Sequence, residues 1–287
     1  MLNILICGHK SYAAHGFKDV LLQKGHRVIE FSRGVLSRNH NVITGPVAEI
    51  NKNPLFVERI DVVFNFILLA NESVERNEKY ILSLIDFCKA HKVNRLIQIS
   101  SISSYPNELP LIKEDTPTEK HIELKGRYGL IKAAVDNLLE ISRHTMPFEI
   151  VFVRPGYIVA DDNPHPFKGV AKFLGSRLAI LIGDKKATLP CIRRDILHQC
   201  LAEIAIQENP LPVYLLLEDE NGTKYSYFRS QSRAMAIPLP KNLFLLVANV
   251  AKALHIFNER QVCMAKGIFK VNRFDNTLTK SRLKILR

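Results

Sequence analysis

The chain has 287 residues, enough for one large α/β domain or for a domain carrying a smaller lobe, and it needs no metal or disulfide staple to hold a core. Hydrophobic residues at 47% and charged residues at 24% exclude a disordered, collagenous or coiled-coil chain. The net charge of +12 points to an anionic partner: nucleic acid, a membrane surface or a phosphorylated small molecule.

That charge is spread along the sequence and is densest in the last 22 residues. There Lys266, Lys270, Arg273, Lys280, Arg282, Lys284 and Arg287 stand against a single acid, Asp275. No nucleic-acid module accompanies them, so nucleic acid is not expected as a partner. Cys7, Cys88, Cys191, Cys200 and Cys263 are widely spaced and form no CxxC pair. They read as free thiols in a reducing, cytoplasmic compartment. The start MLNILICGHK is too soon interrupted for a signal peptide. No apolar run reaches about 18 residues, so no integral membrane segment is expected.

In chain order, Leu2 to Cys7 is an apolar run without alternation, the pattern of a strand buried on both faces, and it ends at Gly8. Residues 12–24 carry Ala13, Ala14, Phe17, Val20 and Leu21 at helical spacing, with Gly25 as the stop. Strands follow at 27–31 and 61–67, a long helix at 73–91, and a strand at 95–99 running into Ser100-Ser101. A helix at 127–144 and a strand at 148–153, closed by Arg154-Pro155-Gly156, complete the alternation. Such alternation predicts a Rossmann-type, doubly wound α/β fold with a parallel sheet. Residues 164–192 read as irregular and basic. A helix at 195–207 capped by Asp195, a strand at 212–217 and an apolar helix at 241–257 follow. The apolar helix is expected to lie buried against the sheet, with an interfacial membrane helix as the rival reading. No HxH or HExxH spacing appears among the ten histidines, so no metal is expected.

A dinucleotide site needs glycine after the first strand, where backbone must approach a pyrophosphate. Gly8 is in place, while Ser11 and Ala14 stand at the later glycine positions of a GxxGxxG turn. Lys10 and Tyr12 lie between them. At the end of the second strand, Ser32 occupies the place of the acid that would bind a ribose 2′-hydroxyl, and Arg33 follows. Arginine suits a 2′-phosphate by charge and by its forked geometry, so NADP is expected over NAD.

Tyr128 and Lys132 form a YxxxK motif, and their spacing places both on one helix face. A nearby ammonium lowers a phenol pKa, and such a tyrosine can exchange a proton with a substrate oxygen while hydride moves. Upstream stands Ser100-Ser-Ile-Ser-Ser-Tyr105, downstream Arg154-Pro-Gly156. In this order the motifs resemble the extended short-chain dehydrogenase/reductase family, the NAD(P)-dependent epimerase/dehydratase group that acts mostly on nucleotide-activated sugars. The resemblance spans residues 2–275.

The resemblance implies that Ser101, four residues before Tyr105, is the catalytic hydroxyl and that Tyr128 is the general acid/base. Lys132 would lower the tyrosine's pKa and hold the nicotinamide ribose. Pro155 would border the nicotinamide, and Asn65 and Phe66 would stand where the family's His-Leu passes the cofactor. Residues 1–160 would be the NAD(P)-binding domain and 161–287 a smaller substrate-binding lobe, with some segments returning to the first. Ser103, Lys168, Arg193 and Arg273 would face a nucleotide-sugar substrate. A homodimer would form through the helices at 73–91 and 127–144. Ser11, Pro106, Tyr80 and Ile81 depart from the family pattern. Ile102 and Ser103 stand where a 4,6-dehydratase carries acids, so that reaction is disfavoured; reductase and epimerase stay open. The alternative is a non-catalytic NAD(P)-binding sensor or scaffold of the same fold.

Overall fold

The structure, a computed structural model, describes residues 1–107, 109–218, 222–269 and 272–286. Lys270 and Arg287 of the basic tail lie outside the described residues. In chain order the elements are β1 (Asn3–Cys7), α1 (Phe17–Gln23), β2 (Arg27–Arg33), β3 (Ser37–Asn39), β4 (Val42–Gly45), β5 (Val62–Asn65), α2 (Val74–Ala90), β6 (Arg95–Ile99), β7 (Leu111–Ile112), α3 (Arg127–Arg143) and β8 (Glu149–Pro155). Then come β9 (Tyr157–Val159), β10 (Ala171–Leu174), β11 (Leu178–Leu181), β12 (Cys191–Arg193), α4 (Arg194–Ile206), β13 (Val213–Leu216), α5 (Lys224–Gln231), β14 (Met235–Pro238), α6 (Lys241–Ala253), α7 (Glu259–Gly267), β15 (Arg273–Phe274) and α8 (Thr277–Arg282).

The central sheet runs β13-β8-β6-β5-β1-β2-β4-β3, and every pairing but the β3–β4 hairpin is parallel. It is wound on both faces. Leu5 and Cys7 of β1 point into one core with Tyr80, Leu84 and Phe87 of α2 and Ile131 and Leu139 of α3. Ile4 and Ile6 point into the other, with Phe17 and Leu21 of α1 and Leu197, Leu201 and Ile204 of α4. Burial on both faces is why these strands show no alternation in sequence. The later half of the chain returns β13 to this sheet, and it also builds a small core of its own around Val170, Leu181 and Phe228.

Arg95 at the start of β6 ties α4 to the sheet. Its guanidinium donates to the carbonyls of Ile204, Ala205 and Gln207 at the helix C-terminus, at 2.7–3.1 Å, and pairs with Glu149. A cation there satisfies carbonyls left free by the helix and complements its dipole.

Several expectations need correction. The first helix starts at Phe17, not at residue 12, because Gly16 sits at φ 84° and residues 8–16 form successive turns, with Ser11 N donating to Gly8 O and Ala14 N to Ser11 O. Asp195 does not cap α4; Arg193 holds the cap position and Asp195 lies in the first turn, where its charge still suits the dipole. The stretch 164–192 is not irregular, since it contains β10, β11 and β12. The apolar helix is not buried: within α6 only Ala248 is, while Leu243, Leu246, Val247 and Val250 are each at least half exposed. Among the described residues no helix is long and apolar enough to cross a membrane.

Candidate active site

Parallel strands deliver their C-terminal ends to one edge, and the residues following β1, β6 and β8 gather there. Ser100 and Ser101 follow β6. Ser101 is extended at φ −165° and opens a single 3-10 turn, Ile102–Ser104, whose Ser103 N donates to Ser101 Oγ at 3.2 Å. The Ser103 hydroxyl donates to the same oxygen at 2.8 Å. Helix α3 approaches this turn closely because Gly129 has no side chain; a Cβ there would stand 3.0 Å from the Ser103 carbonyl oxygen. The approach brings the Tyr128 phenol near the Ser101 hydroxyl. Tyr128 as a residue remains about half exposed, while its hydroxyl end is turned into the protein.

One turn further into α3, Lys132 is buried and donates to the carbonyl of Ile99 at 2.6 Å. Burial pulls its pKa down to about 8, against the pull of the Asp136 carboxylate. The expected lowering of the Tyr128 pKa by Lys132 is not found. Burial raises the phenol, the Ser101 hydrogen bond partly offsets that, and the Asp136 charge adds to the rise. Lys132 turns down toward β6 rather than along the helix surface.

Beneath the pair lies a charged cluster that sequence reasoning missed. Asp136, one turn after Lys132, accepts from Ser100 Oγ at 2.7 Å and from Arg154 Nε at 3.1 Å. Both members of the Asp136–Arg154 ion pair are buried, and the guanidinium lies 4.6 Å above the Tyr105 ring. Burial raises the Asp136 pKa although Arg154, Ser100 and Lys132 all oppose it. Its second oxygen, Oδ1, is buried without a hydrogen bond. The i, i+4 spacing of Lys132 and Asp136 was the readable signal, and Arg154 was visible without its partner.

At the β1 turn, Gly8 sits at φ 85°, and a Cβ there would meet the Ile67 side chain at 2.9 Å and its backbone nitrogen at 3.0 Å. Only glycine accepts that conformation at that distance. Three buried polar atoms on the paired β1 and β2 ends have no hydrogen-bond partner among the described residues: His9 Nδ1 and Ser11 Oγ on the turn and Ser32 Oγ at the end of β2. Buried polar atoms are ordinarily satisfied, so these mark a place built for a polar ligand. Lys10 and Arg33 stand exposed beside them. Tyr12 donates to the Ile158 carbonyl and lies under the Arg194 guanidinium, linking the turn to β9 and α4. The turn thus fits a dinucleotide in its glycine, its orphaned polar atoms and its adjacent cations.

Other expected contacts lie elsewhere. Asn65 is fully buried: its amide donates to Gln98 and its oxygen accepts from Tyr80 and the Ile67 nitrogen. Phe66 is buried with its ring 5.9 Å from that of Phe17. Both side chains serve the core, and only their backbone is left to a cofactor. Pro155 ends β8 in the sheet, and the following Gly156 lets Pro190 and Leu217 pack against the backbone. Of the basic residues expected to face substrate, Arg193 is engaged by Glu218 at 3.1 Å, whereas Lys168 and Arg273 are exposed. Asn276, in the last segment, donates to the Leu215 and Leu217 carbonyls and fastens that segment to β13.

A profile of the NAD dependent epimerase/dehydratase family matches residues 4–194. The UDP-glucose 4-epimerase of Corynebacterium glutamicum is 30% identical over 152 residues, which are 47% of this chain and 45% of that protein, so the match spans about half of each. The UDP-glucose 4-epimerase from Bifidobacterium longum, solved with NAD+ and UDP, superposes with a TM-score of 0.71 at 18% identity, over 98% of this chain and 92% of that one. A short-chain dehydrogenase/reductase superfamily protein from Agrobacterium tumefaciens with bound NAD gives 0.69 at 13% identity, over 99% and 92%. The likeness to these two structures is one of fold, and it extends over the later half as well as the Rossmann part. With the family profile covering most of the sheet and both ends of the site, the chain belongs to the NAD dependent epimerase/dehydratase family.

Proposed function

We propose that the protein is an NAD(P)-dependent oxidoreductase or epimerase acting on a nucleotide sugar. The observation that carries this reading is the proximity of Tyr128 to Ser101 at the C-terminal edge of a parallel sheet, with buried Lys132 one turn further along α3. When bound, the dinucleotide supplies a hydride acceptor or donor. Gly8, Ser11, Tyr12 and Ser32 would hold it, with Lys10 and Arg33 beside its phosphates.

The phenol of Tyr128 is protonated at neutral pH, as the ordinary tyrosine pKa of about 10 requires. It is therefore prepared to give a proton to a sugar carbonyl oxygen, and to take one back when the reaction runs in reverse. Ser101 Oγ accepts two hydrogen bonds from Ser103, which fix its hydroxyl in place beside the reacting oxygen. Lys132, held by the Ile99 carbonyl, fixes the depth of α3 against β6 and places a positive charge below the pair. Retention of all three groups supports an enzyme over a sensor.

Ser32-Arg33 supports NADP in preference to NAD, because it offers a cation and no carboxylate where a 2′-group would lie. The relatives' bound NAD, UDP and kinship to UDP-glucose epimerases support the substrate class. A second copy docking through α2 and α3 would complete the assembly.

Fluorescence titration of the purified chain with NADPH and NADH tests the reading. NADPH should bind at micromolar levels, and Arg33→Ala should weaken it about tenfold while leaving NADH unchanged, the loss of one charge-assisted contact. Absence of binding by either dinucleotide at millimolar concentration would overturn the proposal.

A further inference from the structure

A helix whose apolar residues cover every side belongs inside a protein or against a lipid surface. Among the described residues none covers the outer side of helix α6. Leu243, Leu246, Val247, Val250 and, just beyond its end, Leu254 recur at i, i+3, i+4, i+7 and i+11, one continuous stripe, and each is at least half exposed. The inner side is accounted for: Ala248 is buried, and Phe244 packs on Phe269 with ring centroids 5.7 Å apart. The strand that leads into the helix, β14, adds exposed Met235 and Ile237. A patch of this extent is unusual on a surface that faces only water.

The charge around it is one-sided. Residues 163–194 and 222–258, which hold β10, β11, β12, α5, β14 and α6, contain twelve Lys or Arg and one acid, Asp184. From Gly222 to Asn258 there is no Asp or Glu at all. Of these cations, Arg193, Arg194 and Lys252 pair with Glu218, Asp162 and Glu259 outside the two stretches, and the stretches keep a net positive charge. Lys172, Arg177, Arg233 and Lys241 are exposed there. A second copy of the chain would bring the same positive charge to such a face, and the two would repel. A surface that is apolar a few ångströms down and anionic on top complements both features.

We infer that α6 is a membrane-surface anchor: its outer stripe enters the headgroup boundary of an anionic bilayer, and the surrounding cations bind lipid phosphates. The chain would sit on the bilayer without crossing it. This goes beyond the proposed reaction and does not depend on it.

Co-sedimentation of the full chain with vesicles of phosphatidylcholine, and of phosphatidylcholine containing about one-third phosphatidylglycerol, tests the inference. The wild type should pellet with the anionic vesicles at low salt and be largely released by about 0.5 M salt. The double variant Leu246→Glu with Val250→Glu should bind at least tenfold more weakly, with unchanged thermal unfolding. Those positions are exposed, so the fold tolerates the change, and an unfolding curve checks it. The inference fails if the wild type stays in the supernatant with both vesicles, or if the double variant pellets as well as the wild type. It also fails if sedimentation velocity shows a wild-type dimer that the variant dissolves, which would make the stripe a subunit contact.

Discussion

Replacing Lys132 by methionine should stabilise the fold while removing function. The lysine is buried, and its pKa in the folded chain is about 8 against an ordinary 10.5. The unfolded chain therefore binds more protons between those two values, and stability rises with pH across that window. The linkage penalty for keeping the ammonium charged in the interior is roughly 3 kcal/mol near pH 7 and about 1 kcal/mol near pH 9.5. Methionine keeps the apolar stem and carries no charge. It loses the hydrogen bond to the Ile99 carbonyl, worth about 1 kcal/mol. Lys132→Met should thus be more stable than wild type by roughly 2 kcal/mol near pH 7, about 4–8 °C in Tm, and nearly equal to it near pH 9.5. Urea unfolding of both proteins at the two pH values measures this directly. A variant less stable than wild type near pH 7, or a difference that does not change with pH, would refute the reasoning. The former would mean that Asp136 contributes more to the folded lysine than its burial takes away.

The remaining outcomes are simpler. Tyr128→Phe should leave the unfolding transition in place and reduce turnover of any accepted nucleotide sugar by about 10²–10⁴-fold, read in a coupled absorbance assay. Asp136→Asn strands the buried Arg154 charge and should destabilise the chain by about 3–5 kcal/mol in urea unfolding. Arg95→Met leaves three carbonyls at the α4 C-terminus without their donor and should lower stability by about 3 kcal/mol.

How far the sequence could be read depended on whether a pattern was local. The doubly wound sheet was legible because strands buried on both faces are short apolar runs, and helices between them repeat at 3.6 residues. Tyr128 and Ser101 were readable as candidates because their motifs are spaced along the chain, and the fold brings the two near each other. What was lost is what depends on a partner far away in sequence. Asn65 looks like a polar residue at a strand end, and only the positions of Gln98 and Tyr80 reveal that its amide is spent inside the core. Arg154 and Asp136 meet across 18 residues, and neither sequence neighbourhood announces the pair. The start of α1 was misplaced because the helical spacing of apolar side chains continues through a turn whose backbone, at Gly16, is left-handed.

Helix α6 shows the limit of hydropathy as a guide to burial. Its composition measures what the helix would gain by leaving water, not what it has found to leave water with. In the α2 and α3 helices the same gain is realised against the sheet, because the βα connections place them there. Helix α6 follows β14, a strand of a separate three-stranded sheet, and is delivered to the outside of the later lobe rather than to the central sheet. Its inner side is satisfied by Phe269, and its outer side is not satisfied by any described residue of this chain. A sequence that merely tolerated this would place charges among Leu243, Leu246, Val247 and Val250, as α2 does on its exposed side with Glu75, Arg76, Lys79 and Lys89. It places none there, and the stretch of chain from Gly222 to Asn258 that carries the helix holds five cations and no acid. The two cues, apolar stripe and one-sided charge, are separate physical quantities read from separate residues, and a lipid surface answers both.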